Sequence, residues 1–193
     1  MKVDGIVYRT IWCDDDGWSV RIIDQTRLPH HFEVEALTSL DDAARAIATM
    51  MVRGAPLIGA AAAYGMALAM REDASDAALD TAYETLIATR PTAVNLRWAL
   101  DDMRDRLSNQ TRDARTAIAY QRAGEICDED VEINSAIGDH GLALIQGAYS
   151  AAGEGRPVNV LTHCNAGWLA TVDWGTALSP IYKAHDLGIP VHV

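Results

Sequence analysis

The chain has 193 residues, 49% of them hydrophobic, which is enough to bury a sizeable core as one domain or as one domain with part of another. Its 16 basic against 27 acidic side chains give a net charge of -11, which repels a polyanion over most of the surface and argues against a nucleic-acid partner. No apolar run approaches the roughly 20 residues of a membrane helix, and Met1 to Gly5 lacks the basic-then-apolar pattern of a signal peptide, so a cytoplasmic chain with no membrane association is expected.

Ile6 to Trp12 and Trp18 to Ile23 are β-prone runs around Asp14-Asp15-Asp16-Gly17, a turn cluster, and predict an opening hairpin. Ser39-Leu40-Asp41-Asp42 resembles a helix start, with Ala43, Ile47 and Met51 recurring every four residues before a stop near Gly54. Pro56 suits the first turn of a second helix, and Leu57 to Met70 is apolar enough to be buried nearly all round. A third helix starts at Ser75 and carries Leu79, Tyr83, Leu86 and Ile87. Arg90-Pro91-Thr92 separates it from a fourth, with Leu96, Leu100, Met103 and Leu107 on one face. A further helical stretch runs from about Arg112 to Ile145, adjusted near Gly138 and Gly141.

After Gly153-Glu154-Gly155-Arg156-Pro157 the period changes. Val158 to Leu161 reads as a buried parallel strand, followed by a polar loop from Thr162 to Gly167, a helix from about Thr176 to Asp186, a stop at Gly188 and a strand from Ile189 to Val193. The expected architecture is α/β: a mainly helical part with a small sheet over residues 1–147, then one βαβ unit of an incomplete Rossmann-like domain over 148–193. Two parallel strands with one crossover helix leave edges and a face uncovered, so the sheet is expected to be completed by further chain beyond Val193 or by another polypeptide.

Three segments could carry chemistry. Arg53-Gly54-Ala55-Pro56 sits at a helix-to-helix junction, where unpaired amides and the helix dipole favour an anion with Arg53 beside it; the alternative is ordinary Gly-stop, Pro-start punctuation. Arg90 offers a planar fork at a second boundary, or is a surface arginine near a helix end. Thr162-His163-Cys164-Asn165-Ala166-Gly167 follows the first strand of the βαβ unit, where open α/β sheets bind ligands. Cys164 there could act as acid, base or nucleophile, or be a buried structural thiol. His163 could orient a ligand, although a histidine satisfied by backbone is the plainer reading. Cys13 and Cys127 read as structural, and the odd, scattered cysteine set suggests neither disulfides nor a zinc cluster. Asp128-Glu129-Asp130 reads as a solvated helix face. No Gly-x-Gly-x-x-Gly fingerprint follows the Val158 strand and no Walker-type loop occurs, so no nucleotide, metal or organic cofactor is implied.

Together with Asp24-Gln25-Thr26-Arg27-Leu28-Pro29, Leu57 to Gly65 and Gly175-Thr176-Ala177-Leu178, these segments occur in an order that resembles the 5-methylthioribose-1-phosphate isomerases of methionine salvage, over essentially the whole chain. The resemblance implies a helical domain joined to a Rossmann-like domain, a homodimer, and an aldose-ketose isomerisation of a sugar phosphate. It implies substrate-binding roles for Arg53, Gly54, Ala55 and Arg90 and a catalytic role for Cys164. It also implies that the family's catalytic aspartate, a substrate-binding glutamine and an Asn-Lys pair lie beyond Val193. The hydrogen would move from C2 to C1 through a cis-phosphoenolate or a hydride shift. Two neighbouring families fit less fully: ribose-1,5-bisphosphate isomerases, which must hold a second phosphate, and the non-catalytic regulatory subunits of the translation-initiation exchange factor. Retention of Cys164 in its loop favours an enzyme over the regulatory class.

Overall fold

The computed structural model describes residues 1–153 and 155–193. Glu154, in the loop expected between the two parts, lies outside the described residues. The chain is mixed α/β, mainly helical with small sheets.

Strands β1 (Lys2–Val3) and β2 (Ile6–Val7) form an antiparallel pair, turned by Asp4 and Gly5 in left-handed conformations. Strands β3 (Ile11–Cys13), β4 (Val20–Ile23) and β5 (Val34–Leu37) form an antiparallel sheet in that order. The Ile6 to Trp12 run is therefore divided between two sheets, and β5 was not anticipated. The division falls near Thr10, whose amide donates to the Val172 carbonyl at 3.0 Å while its own carbonyl accepts from the Ile23 amide at 3.1 Å. Ile11, Val20, Ile22 and Leu37 face the main core.

Helix α1 (Leu40–Ala48) begins as expected, because the Ser39 hydroxyl accepts from the Asp42 amide at 3.1 Å. It ends earlier than Gly54: Met50 takes φ +62°, and the Val52 amide donates to the Ala46 carbonyl, tucking Met51 and Val52 into the core without continuing the helix. Helix α2 (Ala55–Glu72) is buried at every position from Leu57 to Met70. Its small residues make this possible, since the helices around it come close: Gly59 lies against the Asn95 carbonyl and Gly65 against Ala43 and Leu86. Helices α3 (Asp76–Ile87) and α4 (Val94–Ser108) surround it together with α1 and α5. Leu96, Leu100, Met103 and Leu107 of α4 are fully buried, as their spacing requires, each contributing roughly 1.5–3 kcal/mol of hydrophobic stabilisation.

Helix α5 (Arg112–Ala152) runs without interruption past Ile145 and through both glycines. Gly138 and Gly141 are not breaks but close approaches, because a Cβ on Gly138 would overlap Ser179 and one on Gly141 would overlap Pro180 of helix α6 (Ser179–Asp186). Helix α6 starts at Ser179 rather than Thr176, since the Leu178 amide is taken by the Ala166 carbonyl. It links β6 (Val158–Asn159) to β7 (Val191–His192), which pair in parallel and make the expected βαβ unit. The strand at Val158 is shorter than expected, and Leu161 is 98% exposed. Ile145, Val158, Ile181 and Ala184 form a small core of their own under this unit. Among the described residues no helix is long and apolar enough to cross a membrane.

Candidate functional site

The four bundle helices α1 to α4 start in two different ways. Helices α1 and α3 are capped by the Ser39 and Ser75 hydroxyls and carry acidic residues in their first turns. Helices α2 and α4 have no side-chain cap and no acid there. These are the two helices that follow Arg53 and Arg90. Their leading amides and the positive ends of their dipoles are left for another acceptor, a setting suited to an anion.

Gly54, the residue before α2, has φ +112°, and a Cβ there would overlap the backbone of Ala170. Ala170 ends a single 3₁₀ turn, Trp168–Ala170, six residues beyond Cys164. The Arg53 junction and the loop after β6 are therefore in direct contact. Gln25 fastens them further, its backbone amide donating to the Met51 carbonyl at 2.9 Å and its side-chain amide to the Leu169 carbonyl at 2.6 Å. The Gly59 to Asn95 approach joins the α2 start to the α4 start. Pro56, Val94, Asn95 and Thr176 line one groove of about 430 Å³ with α5, so the first two segments reach it through Pro56, Val94 and Asn95, while Arg53, Arg90 and the Thr162–Gly167 loop are not among its lining residues.

Arg53 and Ala55 are exposed at this junction. The Arg90 Nη1 is buried without an acceptor, as is the Thr162 hydroxyl. An unpaired buried polar group costs about 1–3 kcal/mol and more when charged, so an anionic ligand reaching Arg90 would relieve the larger penalty. Cys164 is exposed and holds φ +68°, a left-handed conformation that costs a non-glycine residue roughly 1–2 kcal/mol. Among the described residues it is therefore not a buried thiol. His163 is exposed too and needs no backbone partner. Cys127 is buried in the main core, and burial pushes its thiol up to about 12; Cys13 is half-buried, its thiol raised by burial and then by Asp16 and Asp14. Among the described residues no group of three or more His, Cys, Asp or Glu side chains is placed to share a metal ion.

The sequence reading missed the residues that hold the loop. Asp130 was read as part of a solvated face, yet its Oδ2 accepts from the Val172 amide at 2.7 Å and its Oδ1 from the Asn134 Nδ2 at 2.9 Å. Desolvation raises its pKa, against the lowering effect of those two hydrogen bonds. Asp128 and Glu129 are exposed and pair with Arg9 and Arg122, so the solvated reading holds for them. The Asn134 carbonyl accepts from the Ser179 hydroxyl at 2.8 Å, and the Thr10 hydroxyl donates to the Thr171 carbonyl at 2.5 Å. The available signal was a pair of polar side chains, Asp130 and Asn134, four apart and so on one face of α5.

The sequence profile described as the Initiation factor 2 subunit family matches residues 51–193. The whole chain is 63% identical to a protein named methylthioribose-1-phosphate isomerase from Paramagnetospirillum magneticum, covering 53% of it. It is 64% identical to one of the same name from Rhodospirillum centenum, covering 51%. Among solved structures, 5-methylthioribose 1-phosphate isomerase from Pyrococcus horikoshii superposes with TM-score 0.80 at 40% identity, over 95% of this chain and 51% of that one. Translation initiation factor eIF-2B subunit delta from A. fulgidus superposes with TM-score 0.81 at 37% identity, over 97% of this chain and 54% of that one. The chain spans about half the length of these relatives. With a profile match over most of its length, and with both solved relatives sharing its fold, this chain belongs to the initiation factor 2 subunit family.

Proposed function

We propose that the complete gene product is an aldose-ketose isomerase that converts 5-methylthioribose 1-phosphate into 5-methylthioribulose 1-phosphate in methionine salvage. The observation that carries this reading is the likeness, at 57–64% identity over the whole chain, to proteins all named methylthioribose-1-phosphate isomerase. In support stand the uncapped starts of α2 and α4 beside Arg53 and Arg90 and the exposed Cys164 in a strained loop bordering them.

In this reading Arg53, Gly54, Ala55 and Arg90 hold the phosphate, the glycine because only the absence of a Cβ allows Ala170 so close. The anomeric oxygen is esterified, so the sugar opens only when its ring oxygen is protonated as the C1 bond to it breaks. The Cys164 thiolate then takes the proton from C2, the C2–H electrons forming the C1–C2 double bond of an enol phosphate. Return of a proton to C1 and loss of the C2 hydroxyl proton complete a redox-neutral transfer. A hydride shift would leave Cys164 only to orient the C2 hydroxyl. The β6, α6 and β7 unit, with its own apolar cluster, would be the first part of a Rossmann-like sheet spanning 148–193 and beyond, set against the helical part at 1–147. The assembly would be a cytoplasmic homodimer.

The test is turnover by the purified gene product, followed as ketose formation. Cys164→Ser should collapse turnover while phosphate binding persists, and near-normal turnover in that variant refutes the proton-transfer role. A second reading, a regulatory subunit, draws on the likeness to the eIF-2B delta structure. Such a protein would convert nothing and would instead form a stable complex with other chains.

A further inference from the structure

We propose that the groove between α4 and α5 binds the 5-methylthio end and a ribose hydroxyl of the substrate, making it the specificity site for the 5-substituent; this rests on the isomerase reading. The groove, about 430 Å³, is of a size usual for small-ligand clefts, roughly 300–1,000 Å³. One end lies at Pro56 and Asn95, the starts of the two helices assigned to the phosphate. The rest is walled by apolar side chains left in water: Val94 is 79% exposed, Trp98 50%, Ile133 60% and Ile137 40%. Single exposed apolar residues are ordinary, but four lining one concavity beside an anion site call for an apolar occupant. A sugar phosphate with a thioether at its other end has that distribution of polarity. Its sulfur suits the Trp98 ring, since a thioether packs favourably against an aromatic edge.

Asn134 supplies the polar observation. It is 2% exposed and lines the groove, and its Nδ2 is fixed by the Asp130 carbonyl at 2.8 Å and carboxylate at 2.9 Å. That leaves its Oδ1 buried and without a donor. A sugar hydroxyl is the donor it lacks. The wall also carries Glu129 and Asp130, and Arg122 pairs with Glu129 but not with Asp130. A second phosphate in place of the thioether would face these carboxylates, so the groove accepts a neutral 5-substituent and disfavours a bisphosphate.

The experiment compares kcat/KM of the complete gene product on 5-methylthioribose 1-phosphate and on 5-deoxyribose 1-phosphate, in which hydrogen replaces the methylthio group. Trp98→Ala and Ile133→Asn change exposed positions, and Val94→Ser, at the most exposed of them, serves if either lowers the yield of folded protein. The preference for the methylthio substrate should fall by roughly 10–100-fold in these variants, the range expected for losing apolar contacts to a small substituent. An unchanged preference with active variants overturns the groove assignment alone. Absence of turnover by the wild-type protein on both substrates overturns the isomerase reading, and this assignment with it.

Discussion

Helices α1 and α3 and helices α2 and α4 are neighbours in one bundle, yet they solve the same problem at their starts in opposite ways. Ser39 and Ser75 accept the orphan amides of α1 and α3, and Asp41, Asp42 and Asp76 complement their dipoles. Helices α2 and α4 leave their amides free and place arginines just ahead, Arg53 and Arg90, instead of acids within. Under the isomerase proposal, the capped starts serve stability and the uncapped ones serve the phosphate.

Giving α2 the kind of first-turn acid that α1 carries should make the two helix starts alike. Ala55→Asp adds a carboxylate at an exposed position in the first turn. Two like charges about 4 Å apart repel by roughly 4 kcal/mol near a protein surface, so sugar-phosphate turnover should fall by on the order of a thousandfold. The melting temperature should hold or rise, because the same carboxylate favours the helix dipole by about 0.3–1 kcal/mol. The reverse change, Ser39→Ala, removes a working cap from α1. It should cost about 0.5–2 kcal/mol in denaturant unfolding and leave turnover of the folded protein unaltered.

A smaller effect follows from Asp42. Desolvation raises its pKa, but the Thr38 amide and then Arg45 and the Ser39 cap lower it more, leaving it below 3.8 in the folded protein. Its contribution to stability is therefore fully present above pH 3.8 and is lost as pH falls through the lower folded value. In Asp42→Asn the stability lost between pH 5 and pH 3 should shrink, and an identical acid profile would remove Asp42 from the account.

The starts of α1 and α3 were legible in the sequence because caps and periodicity are local, whereas α6 starts three residues later than its sequence suggests. Ser39, Ser75 and the Leu96 to Leu107 stripe each announce themselves within a turn or two. Strand β5 was not legible, since Val34-Glu35-Ala36-Leu37 is stabilised by pairing with β4 rather than by its own pattern. The glycines of α5 misled for a related reason: Gly138 and Gly141 read locally as weaknesses, and only the presence of α6 turns them into contact points. The candidate site was half visible. Arg53, Gly54, Ala55, Arg90 and Cys164 stand in recognisable segments. Gln25 and Asp130 bond backbone groups more than 30 residues away, and the Asn134 carbonyl accepts from the likewise distant Ser179 hydroxyl, so none of the three shows in a local pattern.

Alkylation of Cys164 shows whether the thiol after β6 borders the same cleft as the uncapped helix starts. In the native protein iodoacetamide should label exposed Cys164 readily and buried Cys127 only after unfolding. Adding 5-methylthioribose 1-phosphate should slow Cys164 labelling saturably, and Arg90→Ala should weaken that protection. Labelling of Cys164 at an unchanged rate with the sugar phosphate demonstrably bound would place the thiol and the anion in separate sites and contradict the account.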